Sequence, residues 1–312
     1  NGLTNAPALT YSANAPPPIT YTFTGPTSGT AGSPSSNFTV TPSAAYTGTV
    51  TITPTGSASS GLSPIVLTFT NSAVAQTFTV TPNTAGTLIL TPTNNNGLTN
   101  APALTYTVTN KPIALIQQTV ASWTSGTSFQ ATFSVVPQSG SLLICAGGAS
   151  TSQQESVTGI SSTGATWHLA VASKVNFDDE IWYAEVGSNA GNVITITLNA
   201  VPAGWSVNCS EWSGILSGGE LDVVASKHGN NNSLVTGSIA PPAGNRELIF
   251  GEARGSGTLS GPTNGFTALN TPNGGWQFDY KIVGNTSGSY STGWSSSASI
   301  KWESEIAAFR GF

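Results

Sequence analysis

Residues 1–110 contain no Asp, Glu, Lys, Arg or His; all 13 acids, all 8 bases and both histidines lie between Lys111 and Phe312. A soluble domain is about a quarter charged, so a stretch of that length ordinarily carries about 27 such groups. Without them this third of the chain cannot form salt bridges, ligate a metal through the usual side chains, or run acid–base chemistry except through tyrosine. Methionine is absent throughout. No run of 18 apolar residues exists, which excludes a transmembrane helix. No cluster of Lys and Arg exists, which removes the phosphate-neutralising surface that nucleic acid requires. The G-x-S-x-G, H-E-x-x-H and P-loop patterns are missing. The sequence therefore reads as a non-catalytic protein with no cofactor.

Apolar residues nevertheless make up 38% of the chain. Disorder pairs low hydrophobicity with high net charge, whereas here Thr, Ser, Asn and Gly supply the polarity around enough apolar material for cores. The net charge of −5 falls entirely on residues 111–312. A surface of hydroxyls and amides is nearly indifferent to pH and salt, because little on it titrates and little is screened. This composition points to an extracellular or cell-surface protein. The two cysteines, Cys145 and Cys209, sit in strand-like runs and read either as a disulfide, which an oxidising location permits, or as two buried thiols.

The run Asn1-Gly-Leu-Thr-Asn-Ala-Pro-Ala-Leu-Thr-Tyr11 recurs without change at Asn96–Tyr106. Such identity at a fixed spacing is a sign of tandem repetition. Residues 1–16 then read as the tail of a preceding repeat, 17–111 as one whole repeat, and 112–312 as a second domain, with a longer parent protein expected. Within the repeat, Phe38-Thr-Val-Thr-Pro42 is echoed by Phe78-Thr-Val-Thr-Pro82, each followed by a second Thr-rich strand, which predicts two hairpins on one plan. Alternating apolar and hydroxyl side chains fit half-buried strands. Seven are expected, near 19–25, 37–42, 47–54, 65–70, 75–81, 86–92 and 103–110. Seven short strands without helical periodicity predict an Ig-like β-sandwich.

Gly25-Pro-Thr-Ser-Gly-Thr30, Asn37-Phe-Thr-Val-Thr-Pro42, Gln76-Thr-Phe-Thr-Val-Thr-Pro82 and Gly97-Leu-Thr-Asn-Ala-Pro-Ala-Leu-Thr-Tyr-Thr-Val108 resemble the tandem Ig-like repeats of large bacterial surface and secreted proteins. The resemblance covers about residues 17–111 and implies a spacer, stalk or filament segment. In the remainder, eight strand-like runs punctuated by Gly, Asn, Ser and Pro predict a larger jelly-roll or lectin-like β-sandwich. Gly164-Ala-Thr-Trp167, Glu180-Ile-Trp-Tyr-Ala-Glu185, Ser210-Glu-Trp-Ser-Gly214 and Ile306-Ala-Ala-Phe309 resemble uncharacterised C-terminal β-domains that follow such repeats. The whole chain is thus expected to be all-β.

Four groups of residues carry the functional expectations. Leu3, Ala8, Leu9 and Tyr11 belong to a spare strand that could complete a neighbouring subunit by strand addition, making identical copies the expected partner. Trp205, Trp276 and Trp294 each follow a glycine at a loop edge and could form an exposed stacking platform for polysaccharide; Trp182, Trp212 and Trp302 lie within strands and read as core. Asp178 and Asp179 could contribute to a calcium site, or simply form an acidic turn. Glu303 and Glu305 share one face of the last strand, which reads as its solvent side. A structural or adhesive filament or surface-layer subunit is the first functional expectation, and a carbohydrate-binding module on an Ig-like spacer is the alternative.

Overall fold

The computed structural model describes residues 19–149, 155–218 and 220–312. Leu3, Ala8, Leu9 and Tyr11 lie outside the described residues. The chain divides into two compact units, Asn1–Thr109 and Asn110–Phe312; the charge-free stretch ends one residue beyond the first. Both units are all-β.

Unit 1 is a sandwich of eight strands: β1 (Tyr21–Thr24), β2 (Ser28–Thr30), β3 (Phe38–Pro42), β4 (Tyr46–Thr55), β5 (Ile65–Ser72), β6 (Gln76–Phe78), β7 (Gly86–Asn94) and β8 (Leu104–Thr109). One sheet has the order β1-β3-β6, the other β2-β8-β7-β4-β5. All ladders are antiparallel except β2 with β8. The alternation in the sequence decides which side chains turn inward. Phe38 and Val40, Val50 and Ile52, Leu67 and Phe69, Leu88 and Leu90, and Tyr106 and Val108 fill the core. The threonines between them face solvent.

The internal echo folds differently from the expected hairpins. β3 and β4 lie in different sheets, as do β6 and β7, so each copy arches across the sandwich. The copies then pair with one another, β3 with β6 and β4 with β7. Phe38 stands opposite Phe78, with ring centroids 5.4 Å apart. A hairpin would keep both strands of one copy in one sheet; the arch lets both bury their apolar face in one core. β2, which was not expected, exists because Gly29 lets the backbone run against Tyr106. A Cβ there would lie 1.7 Å from the tyrosine oxygen.

Unit 2 holds β9 (Ala114–Trp123), β10 (Ser128–Thr132), β11 (Leu142–Ala149), β12 (Val157–Ser161), β13 (Ala165–Ser173), β14 (Asp179–Val186), β15 (Val193–Leu198), β16 (Trp205–Ser213), β17 (Leu221–Val235), β18 (Glu247–Gly255), β19 (Thr267–Ala268), β20 (Trp276–Val283) and β21 (Gly293–Arg310). They form an outer sheet β10-β15-β12, a middle sheet β13-β14-β11-β16-β9 and a far sheet β17-β21-β18-β20-β19. The outer sheet is an addition to the two-layer sandwich expected. Phe129, Ile194 and Ile196 pack with Leu143, Val207 and Trp205 between the outer and middle sheets. Leu142, Ile144, Ile181 and Trp212 pack with Leu248, Phe250, Phe278 and Phe309 between the middle and far sheets. This is why β11 and β16 are buried on both faces, while the second face of β18 is covered through Ile249, which packs with Ile239 and Phe266.

Cys145 and Cys209 stand opposite each other on β11 and β16 and form a disulfide, buried in the outer core. It closes a loop of 64 residues, for which chain entropy predicts about 4 kcal/mol of stabilisation. Reduction, or Cys145→Ala with Cys209→Ala, is expected to lower the urea midpoint, and with it the unfolding free energy by an amount approaching that figure. An unchanged midpoint in denaturation monitored by tryptophan fluorescence would reject this contribution.

Candidate functional site

The pleat of β18 places Leu248, Phe250, Glu252 and Arg254 on the face turned toward the middle sheet. On the neighbouring β21 the same face carries Phe309, Ala307, Glu305 and Glu303. In register, Glu252 lies opposite Glu305, and Arg254 opposite Glu303. Across the gap, β14 presents Asp179 one pleat from Ile181, with only Gly148 beside it on β11. The sandwich interior therefore changes along its length from apolar packing to a carboxyl cluster. Asp179 and Glu252 are 1% exposed, and Glu303 and Glu305 are 0% exposed. This corrects the expectation that Glu303 and Glu305 form the solvent side of the last strand. A second sheet covers that face, and the sequence periodicity of one strand does not reveal which face is covered.

The four acids are treated unequally. Glu303 is fully satisfied: one oxygen accepts from Ser173 Oγ at 2.8 Å and Val175 N at 2.6 Å, the other from Phe177 N at 2.7 Å. These three hydrogen bonds hold the carboxyl group in place. They also pin the β13–β14 connection over the cluster. Arg254 is clamped between Phe177 and Trp276, its guanidinium 4.9 and 5.0 Å from the ring centroids, and it donates to Gly275 O at 3.1 Å.

By contrast, none of the six oxygens of Asp179, Glu252 and Glu305 has a hydrogen bond of regular geometry. Burial, followed by the neighbouring carboxylates, pushes Asp179 and Glu305 well above the usual carboxylate range. Burial likewise pushes Glu252 up to about 8. Residues opposite each other in a ladder have Cβ atoms about 5 Å apart, so Glu252 and Glu305 cannot both be ionised without strong repulsion.

The remaining expected site residues fall elsewhere. Asp178 points away from Asp179, accepts from Ser156 Oγ at 2.7 Å and pairs with Lys174 at 3.3 Å. Lys174 also meets Glu180 at 3.1 Å. Asp178 and Asp179 thus form neither a calcium site nor an open turn. Their side chains lie on opposite faces of the strand, and a lysine already fills the cation's place. Among the described residues no group of three or more His, Cys, Asp or Glu side chains is arranged to hold a metal.

Trp205, Trp276 and Trp294 are 1–3% exposed, so the expected aromatic platform is absent. Each lies at or next to the first residue of its strand, β16, β20 or β21, and the pleat turns its ring into a core. The preceding glycine does not bring it outward. Trp212 and Trp302 are buried as expected.

A shallow surface hollow of about 350 Å³ is lined by Thr166, His168, Glu185 and Glu220, with Gly164, Gly187 and Gly218. His168 lies against Tyr183, 5.5 Å between centroids, and Ser217 Oγ donates to Glu185. Among the described residues no hydrogen bond orients the imidazole, so the hollow lacks the base–orienter geometry of an assembled catalytic site.

No family model matches the chain, and no curated protein matches it. Two solved structures with a distant likeness are crystal structures of Salmonella alpha-2-macroglobulin. One is a point mutant, with 10% identity, a TM-score of 0.24 and coverage of 96% of this chain and 23% of that one. The other is the protein reacted with methylamine, with 10% identity, a TM-score of 0.24 and coverage of 94% and 23%. This chain therefore spans less than a quarter of the length of those structures.

Proposed function

We propose that the chain is an extracellular structural or adhesive protein whose copies associate by strand addition to unit 1. The observation that carries this reading is the edge strand β5. Among the described residues it pairs with β4 on one side and ends its sheet on the other. Natural sheets guard such edges with lysine, proline, bulges or covering segments. β5 reads Ile-Val-Leu-Thr-Phe-Thr-Asn-Ser, with no charge and no proline, and its one bulge, at Asn71 with φ 47°, lies near its end and leaves Ile65–Phe69 regular. Its Thr68 carbonyl accepts from Gln76 Nε2, and its Asn71 amide donates to Thr47 Oγ1 at 2.9 Å. Val66 on β5 and Val74 just beyond it are 57% and 74% exposed.

The donor is the segment bearing Leu3, Ala8, Leu9 and Tyr11. Its sequence is that of residues 96–106, which lead into β8 and bury Leu98 and Tyr106 in the core of unit 1. In the repeated sequence Leu3 and Tyr11 are the counterparts of Leu98 and Tyr106. The neutral surface lets copies approach without like-charge repulsion. The two-sheet arrangement of unit 1 agrees with an Ig-like repeat, and the buried disulfide of unit 2 agrees with an oxidising, extracellular setting.

Light scattering and electron microscopy of the full chain test this reading. Multi-copy species are expected for the full chain. Removal of residues 1–16 is expected to leave a monomer. Thr68→Lys with Thr70→Lys, which guards the acceptor edge without touching the core, is expected to weaken association at least about tenfold, or about 1.4 kcal/mol. A full chain that stays monomeric at high micromolar concentration overturns the proposal.

A further inference from the structure

The carboxyl cluster has a charge balance that neutral pH does not satisfy. Facing it from β18 are Glu252 and Arg254, from β21 Glu303 and Glu305, and from β14 Asp179. The β13–β14 connection adds Asp178 and Lys174, engaged with each other and with Glu180 on the far side of β14. β17 sets Ser226 opposite Glu305, and His228 opposite Glu303. β20 lies beside Glu252 and Arg254 with Phe278 and Trp276, and β11 beside Asp179 with Gly148. Neither of these strands adds a charge there. Four inward carboxyls thus share one buried cation, Arg254, and the hydrogen-bond donors are spent on Glu303. An isolated buried carboxylate costs several kcal/mol after relaxation, so the others remain closed in only when they carry protons.

We propose that unit 2 is an acid-adapted fold: its middle and far sheets close around protonated carboxyls, so the protein tightens as its surroundings acidify and loosens as they turn alkaline.

The sign follows from linkage. A carboxyl whose proton is held more firmly in the folded than in the unfolded state makes folding take up a proton. That contribution is complete below the unfolded value, 4.5 for a glutamate, and is lost as the pH rises to about 8, where Glu252 ionises. Asp179 and Glu305 shift in the same direction. Three acids outside the cluster do so as well, and burial raises the first of them, Glu180. Glu247, buried near Asp222 and Arg310, is raised to about 8, and Asp279, which accepts from Thr292 Oγ1 at 2.8 Å, lies well above its ordinary range. Residues 1–110 contribute only tyrosines, and burial raises Tyr21 and Tyr106 further. Among the side chains, any response below pH ~9 therefore belongs to unit 2.

Urea unfolding of the full chain between about pH 4 and about pH 9 tests the proposal, because each proton taken up on folding changes the folding constant about tenfold per pH unit. The wild type is expected to lose at least about a hundredfold in folding constant between about pH 5 and about pH 8. Glu252→Gln, which keeps the shape and removes the titration, is expected to flatten that slope by about one proton, with a gain at alkaline pH and little change in acid. Stability that is flat or rises over this range overturns the proposal, as does a Glu252→Gln slope equal to the wild type's. Should that variant not fold, carbon-13 carboxyl NMR of the wild type decides: carboxyl signals still neutral near pH 6 support the cluster, and a full set titrating below pH ~5 refutes it. Calcium or zinc that restores acid-like stability at alkaline pH would show the carboxyls to be an ion site, and would also overturn it.

Discussion

Taking a carboxylate out of water costs several kcal/mol unless donors or a cation meet it, and unit 2 encloses four between its two larger sheets. Much of the local architecture answers to that cost. The β13–β14 connection folds back so that two of its backbone amides and Ser173 reach Glu303. Phe177 and Trp276 are placed as the jaws of a clamp on Arg254. Gly148 sits where a Cβ would strike the Asp178 carbonyl at 1.8 Å and the Asp179 carboxyl at 2.3 Å, so the strand bearing these acids can approach β11 only because that position has no side chain. Asp179, Glu252 and Glu305 receive no such help, which leaves protonation as their way of being buried.

Unit 1 meets the same dielectric problem by omission. It encloses aromatic and aliphatic groups only and turns threonine outward, so neither its core nor its surface asks for ion pairing. Such a module can be repeated without accumulating net charge. The same omission removes the lysines that normally protect a sheet edge, and it leaves β5 open. Neutrality and edge exposure are thus one property seen in two places.

The all-β class and most of unit 1 were legible because its strands alternate strictly: Leu88 and Leu90 inward, Thr87, Ile89 and Thr91 outward. The arches were not, since alternation does not say which sheet a strand joins. In unit 2, β17 escaped notice because it is an exposed edge rich in Asn, Lys and His, with no periodicity to detect. β9 and β13 mix apolar and polar residues for the same reason. The carboxyl cluster was misread from a sound observation. Glu303 and Glu305 do share a face, but whether water or another sheet covers that face depends on long-range packing, which a period of two does not encode. One available signal was the opposite alternation in β18, where Leu248 and Phe250 share a face with Glu252: a glutamate in register with two core residues is already suspect as buried. The three tryptophans misled because glycine was taken as a turn that releases the ring, when the strand starting there imposes the pleat.

The two units are consistent in a way that neither shows alone. A surface that relies on Asp and Glu for solubility loses its charge in acid and then tends to associate without specificity. A surface of threonine, serine and asparagine has nothing to lose. An interior that holds neutral carboxyls is costly near pH 7 and favourable in acid. The first unit is therefore indifferent to acidity and the second is favoured by it. On the proposal of an acid-adapted unit 2, both departures from ordinary composition, too few charges outside and too many carboxyls inside, suit surroundings with a high proton activity, in which the acids that remain are safest where they can stay protonated.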